Sequence, residues 1–245
     1  MVSRQKVAMV VAELMGVTVL ATAVYAIAGQ GASSLFVGLV AGTTLGLLVH
    51  TIGSASGAHV NPAITLGLWS VRKIKTTQAL LYIAAQVVGA FAALGVIRYF
   101  LGHTLNNLTA EEFDWKFLIA EAAGALVFGF GVASAVYQKY EGTKLAFTVG
   151  GSLFIGILVA SLGSNAVLNP AVAWSIRSFS VEYAVGPIIG SIVGMNLYAL
   201  VFSDEVVIKR PAVVAARKTT TTKVAAAKKK PASKTAKKPA AKKRR

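Results

Sequence analysis

The chain has 245 residues, of which 55% are hydrophobic and only 14% charged, and its mean hydropathy is +0.65. A soluble domain of this length needs more charge to cover its surface, so the composition excludes that class and describes a membrane protein. The net charge of +16 is a property of one end: residues 209–245 hold 15 of the 25 Lys and Arg and none of the 9 Asp and Glu.

In chain order, the first candidate span is Val7–Gly29, with Glu13 as its only charge. Reading it as a retained helix follows from the absence of a small-residue cleavage site after a short apolar core. No charge then occurs between Glu13 and Arg72. That stretch is too long for one crossing with a polar loop and too poor in turn residues for two ordinary spans, since a crossing takes about 20 apolar residues. It fits a span over Leu35–Ile52, a turn over Gly53–Val60 and a short helix over Asn61–Val71. Thr76–Ile97 forms the next span, bracketed by Lys75 and Arg98.

The pattern then restarts. Phe117–Gln138 carries Glu121 as the first span carries Glu13, and Lys144 to Arg177 encloses a second charge-free run. This divides into a span over Leu145–Leu162, a turn over Gly163–Leu168 and a short helix from Asn169 to about Ile176. A last span begins at Glu182 or Tyr183 and ends near Phe202. The expected fold is an all-α membrane protein with six transmembrane helices and two re-entrant half-helices. Its two repeats, over about residues 7–101 and 115–203, are inverted because each holds an odd number of spans. Residues 1–208 are expected to form the membrane body, and 209–245 a separate tail.

Arg4, Lys6, Arg72, Lys73, Lys75, Lys139 and Lys144 fall on one face with the basic end, and Glu111, Glu112 and Asp114 on the other. The excess of basic residues places both termini in the cytoplasm of a cell-membrane protein. Glycines at every fourth position (Gly38, Gly42, Gly46 and Gly186, Gly190, Gly194) read as tight helix packing.

The chemistry-bearing motif is Asn-Pro-Ala, present at Asn61-Pro62-Ala63 and Asn169-Pro170-Ala171. Each copy lies 48 residues after the acid of an A-E-x-x-G pattern, Glu13 for the first and Glu121 for the second. Asparagine is a strong N-cap and proline suits the first helical turn, so the tripeptide starts a helix. Helix starts at the bilayer midplane are tolerated only when buried or lining a water-filled cavity. Two inverted copies bring two positive dipole ends and two amide donors together, a field that admits neutral hydrogen-bonding molecules and repels cations. Glu13 and Glu121, the two deep acids, read as acceptors for the N–H groups of the re-entrant turns. Cysteine is absent, and His50, His59 and His103 are too few and too scattered for a metal centre, so no cofactor or metal is expected. Nothing supplies a nucleophile with a base or a phosphate loop, so an enzyme is not expected.

On these motifs the chain resembles the aquaporins and glycerol facilitators, the major intrinsic protein family, over residues 7 to about 203. Ser56-Gly57-Ala58-His59-Val60-Asn61-Pro62-Ala63-Ile64-Thr65 is similar to that family's first loop. Tyr82-Ile83-Ala84-Ala85-Gln86-Val87-Val88-Gly89-Ala90 and Gly186-Pro187 agree as well. The resemblance implies a homotetramer of independently conducting protomers, with Asn61 and Asn169 directed at single-file water. Carbonyls of about Gly57–Val60 and Asn165–Leu168 would form an acceptor ladder, and His59 would support its loop or contact the pore. It also implies an outer filter at Ala41, Ile157, Ala166 and Val172. The family generally has arginine where this chain has Val172, and all four positions here are apolar. The expected permeants are therefore water and small neutral solutes, through a wider and less discriminating filter. Arg177 is expected at the outer mouth, and His50 is either a pore contact or a packed histidine.

Residues 209–245, built from Lys, Ala, Thr and Pro, cannot bury apolar surface and are expected to be disordered. Anionic lipid and nucleic acid are the two partners such an arm fits. A secondary transporter and a membrane anchor for this arm are the competing functions.

Overall fold

The computed structural model describes residues 3–108 and 112–203. The basic end and Glu111 lie outside the described residues. All regular structure among the described residues is helical: α1 (Arg4–Ala28), α2 (Ser34–Ser56), α3 (Pro62–Ser70), α4 (Thr76–Leu101), α5 (Trp115–Tyr137), α6 (Gly142–Ala160), α7 (Pro170–Ser175) and α8 (Val181–Val201). Six of them, all but α3 and α7, are long and apolar enough to cross a membrane. Three spans and a half-helix therefore make each half, and the odd span count inverts the second half against the first.

Polarity is reversed relative to a soluble protein. Glu13, Gln86, Glu121 and Thr65 are fully buried, whereas Leu80, Phe147, Leu200 and many other large apolar side chains are exposed. Such a surface is stable against lipid and not against water.

The spans pack where small residues let backbones meet. A Cβ on Gly42 or Gly150 would run into the other's backbone carbonyl between α2 and α6, and one on Gly89 into that of Leu14 between α1 and α4. Gly190 and Gly194 of α8 lie in the same way against the Ala122 and Leu126 carbonyls of α5. Without a hydrophobic driving force between helices in lipid, this close approach supplies much of the packing energy.

Helix ends differ from those expected because backbone caps set them rather than hydropathy. The second span continues past Ile52 to Ser56 and stops where Gly57 takes φ +90°, which shortens the re-entrant turn to Gly57–Val60. The third continues past Ile97 to Leu101, stopped by Gly102 at φ +70°. The fifth begins at Gly142 rather than Leu145 and ends at Ala160 rather than Leu162. The half-helices end at Ser70 and Ser175, one residue earlier than expected.

A candidate pore between two clamped half-helices

Each re-entrant turn is held by one carboxylate. Glu13 Oε1 accepts from Ser56 Oγ at 2.7 Å and from the His59 N–H at 2.9 Å. Its Oε2 accepts from the Val60 N–H at 2.7 Å and from Gln86 Nε2 at 2.8 Å. In the second half, Glu121 Oε1 accepts from Ser164 Oγ at 2.7 Å and from the Val167 N–H at 3.0 Å, and Oε2 from the Leu168 N–H at 2.7 Å. The serines are reused, since Ser56 Oγ and Ser164 Oγ also accept from the Ala58 and Ala166 N–H groups.

Backbone conformation explains why an acid is needed. Ala58, Val60, Ala166 and Leu168 are left-handed, with φ of +49°, +42°, +54° and +56°. In these turns the successive N–H groups of His59 and Val60, and of Val167 and Leu168, point to one side, forming an anion-binding concavity that a carboxylate fills. Left-handed backbone at a side-chain-bearing residue costs about 1–3 kcal/mol, more so at the β-branched Val60. Charge-assisted bonds to Glu13 and Glu121, worth about 1.5–3 kcal/mol each, offset that cost.

Asn61 and Asn169 cap α3 and α7, with Oδ1 accepting from the Ala63 N–H at 2.8 Å and from the Ala171 N–H at 3.0 Å. Pro62 and Pro170 occupy the first helical position of each. The caps fix the amide orientation, and each Nδ2 then donates across the pseudo-two-fold. Asn61 Nδ2 reaches the Leu168 carbonyl at 2.9 Å and Asn169 Nδ2 reaches the Val60 carbonyl at 2.8 Å. These two carbonyls thus spend one lone pair on the opposite asparagine. A second amide hydrogen remains on each Nδ2.

A cavity of about 460 Å³ reaches from the asparagine pair to the end of the molecule that bears Ala28, Ala32, Ser34 and Leu108. Its wall includes Asn61, Asn169 and all four of Ala41, Ile157, Ala166 and Val172. His59 also lines it, with Nδ1 at 3.2 Å from Thr65 Oγ1 and its ring edge-on to Tyr82 at 5.0 Å. The ring therefore both packs the turn and faces the cavity. Ala63 and Ala171 are buried in the first turns of α3 and α7. His50 is exposed on the outer surface, in a separate cleft between α2 and α6, and not in the cavity wall.

Sequence reasoning missed three participants. Ser56 and Ser164 brace the turns at the same 108-residue offset as the asparagines, a signal that was available. Gln86 joins Glu13 to Thr65, with Nε2 2.9 Å from Thr65 Oγ1, and has no counterpart beside Glu121 among the described residues. Last, both half-helices end on a common Trp-Ser-x-Arg pattern, Trp69-Ser70-Val71-Arg72 and Trp174-Ser175-Ile176-Arg177. Arg72 (φ +59°) and Arg177 (φ +61°) take the left-handed position after the helix. The Arg72 and Lys73 N–H groups return to the Trp69 and Leu68 carbonyls, and those of Arg177 and Ser178 to Trp174 and Ala173. This is the paired 5→2 and 6→1 closure usually built on glycine. Arg177 is thereby the counterpart of Arg72, at a half-helix three residues shorter, rather than a displaced filter arginine. Its carbonyl accepts from the Leu108 N–H at 2.8 Å, at the cavity end that bears Leu108, and its side chain is not in the cavity wall.

The sequence model of the family described as Major intrinsic protein matches residues 1–198. The chain belongs to that family. Its members are passive membrane channels and not enzymes, and this chain is a multi-pass membrane protein of that kind. Aquaporin A of Dictyostelium discoideum is 28% identical over 208 residues, a match spanning 77% of this chain and 74% of that protein. Aquaporin-4 of Homo sapiens is 30% identical over 203 residues, spanning 72% of this chain but only 59% of the human protein. Among solved structures, the aquaglyceroporin from Plasmodium falciparum superposes with a TM-score of 0.68 over 80% of this chain and 96% of that one. At 18% identity that likeness concerns the fold.

Proposed function

We propose that residues 1–208 form a passive channel for water and small neutral solutes of the glycerol type, with Asn61 and Asn169 as its central donors. The observation that carries this reading is the cavity ending on two asparagines whose amides are fixed by reciprocal cross-loop bonds. The second hydrogen on each Nδ2 donates to the permeant. Facing N-termini of α3 and α7 disfavour cations at the same point.

Ala41, Ile157, Ala166 and Val172 act as an apolar outer filter, which admits solutes by size and desolvation rather than by charge. Glu13, Glu121 and His59 hold the loops. Lys73 Nζ lies 3.9 Å over the Tyr137 ring and Lys144 Nζ 3.6 Å over the Tyr140 ring. These contacts support a common basic face for the loops after α3 and α5, and with it cytoplasmic termini in the cell membrane.

The protomers assemble as a homotetramer. A cleft of about 1040 Å³ on the outer side of α2 and α6, with Gly42, Gly46, Gly150 and Gly151 in its wall, supports a protomer contact there. The basic end, residues 209–245, lies on anionic lipid, where each Lys or Arg near the surface contributes about 1 kcal/mol; nucleic acid is the alternative partner.

Stopped-flow light scattering of proteoliposomes containing the chain truncated after residue 208 tests the function. A channel gives gradient-driven, non-saturable flux. Saturable flux indicates a transporter, and flux equal to that of protein-free vesicles indicates an anchor for the basic end.

A further inference from the structure

The protons in the network around Glu13 have one consistent arrangement. Glu13 Oε2 faces the Val60 N–H at 2.7 Å and therefore accepts, so Gln86 presents its NH2, and not its carbonyl oxygen, to it at 2.8 Å. The second hydrogen of that NH2 reaches Thr65 Oγ1 at 2.9 Å. Thr65 Oγ1 also lies 2.9 Å from the Asn61 carbonyl oxygen, which has no proton to give, so the hydroxyl proton is spent there. Thr65 Oγ1 has only a lone pair left, and His59 Nδ1, at 3.2 Å, donates to it. In the neutral ring the proton is thus on Nδ1, and Nε2 is an acceptor.

That nitrogen is not sealed in. His59 lines the cavity, and its Nε2 has no hydrogen-bond partner among the described residues, yet unlike Gln86 Oε1 it retains accessible surface. Gly57 keeps this edge of the ring clear, since a Cβ there would lie 3.3 Å from both Nε2 and Cδ2. The second half holds the same clamped, left-handed turn without such a relay. At the 108-residue offset Val167 stands for His59, Ala173 for Thr65 and Gly194 for Gln86. A turn of this shape therefore folds without the three side chains.

We propose that Gln86 and Thr65 are positioning residues that hold His59 in its Nδ1–H form, so that Nε2 accepts a hydrogen bond from the permeant in the pore wall. The proposal rests on the channel reading, and it adds an acceptor to a centre where the side chains of Asn61 and Asn169 donate. A water that has left bulk solvent there keeps a partner for its own O–H, and lacking one is costly. With the proton on Nε2 instead, His59 would be a further donor, and the water would find no acceptor on these side chains.

The test is nitrogen NMR of the full chain in lipid bilayers, isotope-labelled at histidine and carrying His50→Gln and His103→Gln so that His59 alone reports. Water permeability of proteoliposomes is measured on the same proteins. In this parent protein the imine-type resonance belongs to Nε2 and the amine-type resonance to Nδ1. Thr65→Val, nearly equal in shape, mixes the two forms and lowers water permeability about five-fold, the factor carried by one neutral hydrogen bond. Thr65→Ser keeps the parent signature and most of the flux. Gln86→Met mixes the forms as well, because the Thr65 hydroxyl is then free to turn toward Nδ1. An imine resonance on Nδ1 in the parent overturns the proposal by itself, and so does a Thr65→Val protein with unchanged signature or unchanged flux. The expected signature in a parent that passes no water overturns the channel reading and the pore role of Nε2, and leaves the proton placement standing.

Discussion

Replacing Glu13 by Gln tests the loop clamp most sharply. Four donors converge on this carboxylate, two from backbone N–H groups and two from side chains, all within 2.9 Å. A carboxylate is an acceptor at both oxygens, whereas an amide offers one acceptor and one NH2. Whichever way the glutamine turns, its NH2 meets two donors. On the Oε1 side these are the Ser56 hydroxyl, which can rotate, and the His59 N–H, which cannot. The remaining bonds lose their charge assistance. Leaving one buried N–H unpaired costs about 1–3 kcal/mol, and downgrading two further bonds costs about 1 kcal/mol each. The total of about 3–5 kcal/mol is comparable to the cost of keeping Ala58 and Val60 left-handed. At roughly 2–4 °C per kcal/mol for a chain of this size, the melting temperature falls on the order of 10 °C. The assay is thermal unfolding of the purified protein in detergent, paired with water permeability in vesicles. Glu121→Gln shows a smaller loss because Gln86 has no equivalent there. A Glu13→Gln protein with unchanged melting temperature and unchanged flux would refute the clamp.

Other consequences are as concrete. Asn169→Ala removes the cap of α7 and the bond to the Val60 carbonyl, about 2–3 kcal/mol together, and lowers the melting temperature by several degrees; no shift means that the cross-loop bond is idle. Gly190→Leu drives a side chain into the Ala122 backbone of α5, so the detergent-solubilised protein loses its monodisperse peak on size exclusion, and an unaltered peak contradicts the packing described for α5 and α8. A peptide of residues 209–245 co-sediments with anionic vesicles at 0.1 M salt, is released at 1 M as the screening length falls from about 10 to 3 Å, and ignores neutral vesicles. Binding that persists at 1 M salt argues against a purely electrostatic contact.

Much of this architecture was legible in the sequence because the duplication repeats residue types at a constant offset. Glu13 and Glu121, and Asn61 and Asn169, recur 108 residues apart, each asparagine lies within a charge-free run, and hydropathy locates the spans around them. Two things escaped. The ends of α2, α4 and α6 depend on single backbone conformations, such as Gly57 at φ +90°, which apolar run lengths do not register. The common ending Trp-Ser-x-Arg was hidden because the second half-helix is three residues shorter, which changes the offset to 105 after the asparagines. Gln86, although it lies in the family-like segment Tyr82–Ala90, acts through contacts with distant elements, Glu13 and Thr65, that run lengths and spacing do not register.

The central claim is that an apolar outer filter, with Val172 where the family generally has arginine, opens the path to neutral solutes beyond water. Its most direct test is the ratio of glycerol to water permeability in proteoliposomes of the wild type and of Val172→Arg, measured side by side. The account predicts that the wild type passes both and that Val172→Arg lowers the glycerol-to-water ratio by narrowing the cavity wall. A wild type that excludes glycerol, or a ratio indifferent to Val172→Arg, would contradict it.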